Sequence, residues 1–140
     1  MEKKIKTPNK SIKFDFKTIK SFEDACKKEN VDPVALPDVS MISEEFRKAI
    51  IAVYKLFIIF KAINNGWVAD FANYNQHKYY PWLSVLSSGF GFDYSSSYFD
   101  DANTFVGSRL CTDTSEKAIY IGQQFGILGQ EYKDFFLRSK

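Results

Sequence analysis

The chain has 140 residues, 45% apolar and 26% charged, which suits one globular domain with a core that needs no staples. Cys26 and Cys111 stand alone, so no disulfide framework and no cysteine-based metal site is expected, and free thiols point to a reducing compartment. Net charge is only +2, but residues 1–20 hold seven Lys against Glu2 and Asp15, leaving the remainder acidic.

Residues 1–13 read as a basic flexible arm, and residues 14–140 as a single globular domain. The arm has no apolar run of the signal-peptide kind, and the most apolar segment, residues 49–60, is too short to span a bilayer and contains Lys55. A soluble, intracellular protein is expected. Phe14, Phe16 and Ile19 are placed to anchor the arm to the body. A short helix follows in "SFEDACKKEN", with Ser21 as cap, Asp24 in the capping-box position and Lys27 and Lys28 near its end. Pro33 and Pro37 then forbid a continuing helix.

The central helix is predicted over residues 44–64, with Ser43 as N-cap, Glu44 and Glu45 in the first turn and Gly66 past the end. Phe46, Ile50, Val53, Phe57 and Phe60 recur at helical spacing, and Ile51, Tyr54 and Ile58 add a second apolar face. A helix apolar on most sides is expected to be buried on most sides.

Two strands are predicted next, "KYYPWLSVL" and "FGFDY", joined at Ser87, Ser88 and Gly89, with Pro81 confining the first to a sheet edge. "SSSYFDDAN" reads as a polar loop, and "TFVGSRLCT" as a third strand. A final helix begins at Asp113 or Thr114 with Glu116 completing a capping box, and carries Ala118, Ile121, Phe125, Leu128, Tyr132 and Phe135 on one face. Gly122, Gly126 and Gly129 line another stripe, which serves close packing within the fold or the seam of a homodimer. The fold class is therefore α+β: N-terminal helices with a long buried central helix, a small antiparallel sheet of about three strands, and a C-terminal helix packed on it.

Aromatic residues make up 17% of the chain, and they crowd the stretch after Gly66. Trp67, Phe71, Tyr74, Tyr79, Tyr80 and Trp82 alternate there with Asn73, Asn75, Gln76, His77 and Lys78. Rings beside amides and a cation are what protein interfaces favour, since rings give contact area at low entropy cost. Single-stranded nucleic acid or a nucleotide is the alternative, with bases stacking on rings and the basic arm supplying charge. The strands also need a buried face, so about half of these rings belong to the core. Trp67 and Phe71 are expected to seal the central helix, with Tyr79 and Pro81 packed on it; Tyr74, Tyr80, Trp82, Phe92 and Tyr94 are expected outside. Together with Gln76, Lys78 and Arg109 these five form the candidate partner surface. Arg109 is expected to pair with Asp93 or Asp70.

Catalytic chemistry finds little footing. His77 is the lone histidine, and neither a nucleophile elbow nor a phosphate-binding loop is present. Asp93, Asp100 and Asp101 lack the grammar of a calcium loop. The expectation is a non-enzyme with no cofactor and no metal.

Gly66-Trp67, Asp70-Phe71, Asn73, Gln76 and Lys78-Tyr79-Tyr80-Pro81-Trp82 resemble an aromatic module written GW-x-PDW-x-N-x-x-Q-x-KYYPWF. Gly107-Ser108-Arg109-Leu110-Cys111 and Gly122-Gln123-Gln124-Phe125 resemble the GSRLC and G-x-Q-F elements that follow it. The module is found in small proteins of bacteriophages and prophages, especially those of gut Bacteroidetes, and the resemblance covers residues 44–137. Ala69 stands where the family has proline, and Phe71 where it has tryptophan. The resemblance implies a phage origin and a shared fold, and it supplies no catalytic residues. The expected partner is another protein, of the virion or of the host, met in the host cytoplasm or on the virion.

Overall fold

The computed structural model describes residues 13–86, 89–100, 108–127 and 131–136, with the hairpin side chains after Pro81 outside that description. The expected arm, residues 1–13, lies outside it except for Lys13. The architecture is α+β. After a 3-10 turn at Phe16–Thr18 come α1 (Phe22–Glu29), α2 (Glu44–Asn64), β1 (Lys78–Leu86) and β2 (Gly89–Asp100). A second 3-10 turn at Ser108–Leu110 leads into α3 (Ser115–Ile121), a π-helical segment at Gly122–Ile127, and α4 (Glu131–Phe136).

Local chemistry sets the ends of α1. The Ser21 hydroxyl accepts from the Asp24 backbone N–H at 3.1 Å, and the Asp24 carboxylate accepts from the Lys20 N–H at 3.0 Å. The first bond occupies one of the donors a helix start leaves orphaned, and the second fixes the chain just before the cap. Asn30 closes the helix in the left-handed region, with φ of 55°. Helix α2 has the predicted bounds, although the Ser43 side chain makes no capping hydrogen bond.

The core joins Ile19, Phe22, Ala25 and Cys26 to Leu56, Ile59, Phe60 and Ile63 of α2, closed by Leu110, Ile121 and Phe125. Helices α1 and α4 pack on α2, and α3 packs on the hairpin. Phe14 and Phe16 rest against this cluster as the sequence anticipates. The Tyr120 hydroxyl donates to the Ile19 carbonyl at 2.8 Å and Gln124 donates to that of Lys20 at 2.8 Å, so the segment before α1 is held onto α3 and its continuation.

Burial of α2 corrects the expectation. Its inward face is Ala52, Leu56, Ile59, Phe60 and Ile63, while Phe46 is 53% and Phe57 37% exposed. Apolar residues surround the helix, so periodicity alone does not say which stripe meets α1 and α4.

The hairpin forms as expected, with Lys78 opposite Asp100 and Leu86 opposite Gly89, and a register shift between Pro81 and Leu83. Strand β2 runs on to Asp100, so residues 97–100 pair with β1 instead of forming part of a loop. The third strand is not shown: residues 104–107 lie outside the description, and Ser108–Leu110 turns as a 3-10 helix. Among the described residues before α3, Thr112 bridges to β1, exchanging backbone hydrogen bonds with Tyr79 at 3.0 and 2.7 Å. Pro81, two residues on, turns the same backbone edge outward without a donor, which stops that pairing.

The last helix is also more broken than its apolar spacing implies. Thr114, not Asp113, caps α3, its hydroxyl accepting from the Lys117 N–H. Asp113 instead pairs with Lys117 at 2.8 Å. The π-helical turns from Gly122 to Ile127 change the angular step, so Gly122 and Gly126 do not keep an α-helical spacing. Gly122 is buried, and Gly129 lies outside the described residues.

Candidate aromatic docking site

The aromatic segment starts where α2 is forced to stop. Asn65 takes a left-handed conformation with φ of 48°, Gly66 follows at 94°, and the Trp67 N–H returns to the Asn64 carbonyl at 3.1 Å. The chain doubles back, which sets Trp67 and Val68 beside Phe57 and Lys61 of the helix's last turns.

Polar side chains then hold the loop to itself. Gln76 Oε1 accepts from the Asp70 N–H at 2.6 Å, and the Asp70 carboxylate accepts from the Ala72 N–H at 2.9 Å. Asn73 Oδ1 accepts from the Asn75 N–H at 2.9 Å. Beneath them the Lys78 ammonium donates to the carbonyls of Gln76 at 2.8 Å and Asn73 at 3.2 Å, and lies 5.2 Å from the centroid of the Phe71 ring. Only 1% of Lys78 is exposed. An ammonium that deep is tolerated because carbonyl dipoles and a ring face replace its water.

Two apolar members point the other way, Tyr74 at 76% and Val68 at 72% exposed, while Ala69 is buried and Phe71 half-buried over Lys78. Of the expected partner surface, therefore, Tyr74 and Arg109 face solvent, Gln76 is half-buried and Lys78 is interior. Tyr80 is buried as well, a correction with a simple cause. Alternate strand residues share a face, and it is Lys78 and Tyr80 that turn inward while Tyr79 is only half-buried. The side chains of Trp82, Phe92 and Tyr94 lie outside the description.

Phe57, Lys61, Asn64, Trp67, Val68 and Arg109 line a cleft of about 330 Å³. The Arg109 guanidinium lies over the Phe57 ring, 5.9 Å from its centroid. Among the described residues it has no carboxylate within ion-pair distance, so the expected pairing with Asp70 does not form. Asn64, 6% exposed, donates to the Cys111 carbonyl at 2.8 Å, while its own Oδ1 has no partner and is closed off from solvent. A second cleft of about 690 Å³ shares Asn64 and Trp67 but is walled by mixed charges, including Asp15, Glu116 and the paired Asp113 and Lys117. Phe57, Lys61, Trp67 and Val68 were not expected in the site. The signal for them is the i, i+4 spacing of Phe57 and Lys61, read together with a chain reversal at Gly66.

His77 is exposed, its Nδ1 lying 3.5 Å from the Tyr79 hydroxyl. Burial pushes the Cys111 thiol up to about 11, against a smaller opposing pull from Lys78, and raises the Cys26 thiol too. Neither is a thiolate at neutral pH. Among the described residues no three His, Cys, Asp or Glu side chains gather as metal ligands, and no helix is long and apolar enough to cross a membrane. No protein-family model, curated protein or solved structure matches the chain.

Proposed function

We propose that this chain is a non-enzymatic, phage-type binding module whose partner is another protein, docked on the aromatic surface that follows α2. One observation carries the reading. The loop of residues 67–77 spends its polar side chains on its own backbone and leaves Val68 and Tyr74 in water. A loop free to minimise apolar exposure would do the reverse. Holding rings and a branched aliphatic side chain outward on a hydrogen-bonded frame lowers the ordering cost of association, which is what a docking surface requires. The half-buried Trp67 supplies the kind of anchor on which interface energy concentrates.

The test is affinity capture from host lysate with the wild type and a Trp67→Ala, Val68→Asp, Tyr74→Ala variant, each checked by thermal melting. The expected result is a partner retained by the wild type and lost by a folded variant. Identical captured proteins would remove the surface from consideration. Tyr80 is unsuited to this experiment because its burial confounds docking with folding.

A further inference from the structure

We infer that the cleft between Phe57, Trp67 and Arg109 takes a partner polypeptide segment that carries a carboxylate beside an aromatic or branched aliphatic side chain. The inference rests on the protein-binding reading above and adds the chemistry of the partner.

The floor of the cleft is apolar and open, made by the accessible parts of Phe57, Trp67 and Val68. Its charged lining is cationic: Lys61 and Arg109 line it, and no acidic residue does among those described. Neither cation is well neutralised from within. Arg109 is parked on the Phe57 ring, and among the described residues Lys61 reaches only Glu29, at 3.8 Å, with 73% of its own side chain in water. A pair that long and that exposed contributes little, and Glu29 is also met by Lys28 at 3.4 Å. Two positive groups beside an apolar floor, one of them over a ring face, with no strong counter-charge among the described residues, are complementary to an anion joined to an apolar body.

A nucleotide also joins an anion to a flat ring, and the cleft discriminates against it. Ring stacking alone tolerates any base, and selecting one needs its edge met by donors and acceptors. The amide among the described lining residues is Asn64, whose Nδ2 is committed to the Cys111 carbonyl and whose Oδ1 is out of reach of solvent. An apolar side chain needs no such reader. The apolar surface also continues beyond the cleft, because Phe46 lies on the same helical stripe as Phe57 through Ile50 and Val53 and is itself exposed. A polypeptide can follow that stripe, whereas a mononucleotide ends at the cleft.

Selection of a random-sequence displayed-peptide library on the full chain tests this, with Trp67→Ala and the double variant Lys61→Glu, Arg109→Glu selected in parallel. Enriched sequences should place Asp or Glu next to Phe, Trp, Leu or Ile. A synthetic copy of such a peptide should bind the double variant about tenfold more weakly than the wild type, and so should the same peptide with its acids changed to amides. Enrichment of neutral or basic peptides that still depend on Trp67 would overturn the acidic-partner inference and leave the docking reading standing. Failure of any peptide to distinguish wild type from Trp67→Ala would overturn both. Saturable binding of labelled AMP or oligo-dT, abolished by Trp67→Ala in the absence of peptide enrichment, would replace the polypeptide with a nucleotide.

Discussion

The core and the loop of residues 67–77 solve opposite problems with the same residue types. In the core, Phe22, Phe60 and Phe125 are turned in among aliphatic side chains, with Phe14, Phe16, Tyr54, Tyr120 and Phe135 packed around them. In the loop a lysine is turned in and Val68 and Tyr74 are turned out. The core holds by excluding water from carbon, with the Lys55 ammonium over the Phe22 ring at its margin, 5.2 Å from the centroid. The loop holds by directing amides, a carboxylate and an ammonium at its own carbonyls and N–H groups, which frees its apolar side chains for display. Ring content therefore says little about location here; the polar neighbours decide it, because whichever class secures the backbone must face the backbone.

The sharpest break in that contrast comes from the core side. Phe60 is fully buried, so Phe60→Ala removes a ring and leaves a cavity, and urea unfolding should show a loss of about 3–5 kcal/mol. A loss comparable to that of a surface change would mean that α2 does not hold the core.

Cys111 lies at the junction of the two regions, its carbonyl taking the Asn64 donor. Its thiol is raised from 9.0 to about 11 by burial, so the folded state binds the proton more tightly than the unfolded one. The stabilisation is fully present below 9.0 and is lost as pH rises toward about 11, reaching about 2–3 kcal/mol at the alkaline end. Denaturation midpoints across that range should fall for the wild type and flatten for Cys111→Ala. An unchanged slope in the variant would assign the alkaline loss to other groups.

On the loop side, Lys78→Met keeps the apolar stem and removes the donors to the Asn73 and Gln76 carbonyls. The expected cost is about 1–2 kcal/mol, because the freed carbonyls can rehydrate when the loop opens. Hydrogen exchange should accelerate at the N–H groups of residues 70–76 and leave α1 and α2 unchanged. Since the Lys78 charge lowers the Cys111 thiol, the same substitution should deepen the alkaline loss of stability and extend it to higher pH. A variant more stable than the wild type, with the loop still protected, would show that Lys78 is not what secures it.

Helix α1 and the bounds of α2 are legible in the residues, because their signals act within a turn: Ser21 with Asp24 at one start, Asn65 and Gly66 at the other end. The hairpin and its turn position are legible too, since a glycine between two β-prone runs leaves few alternatives. Half of the candidate site is legible as ring density and as Arg109, but Phe57 reads as core from its spacing, and Lys78 and Tyr80 read as surface. Strand parity could not be chosen from "KYYPW", where either set of alternate residues includes a tyrosine.

What the chain settled by itself is where elements start and stop, since caps, left-handed residues and prolines act on backbone a few residues away. What only the tertiary structure decided is which side of each element faces inward: the Leu56 and Phe60 face of α2, the interior ammonium of Lys78, and a single bridge at Thr112 where a full strand was expected. Orientation is a property of neighbours distant in sequence, and a segment apolar on several sides, or ring-bearing on both, leaves that decision to them.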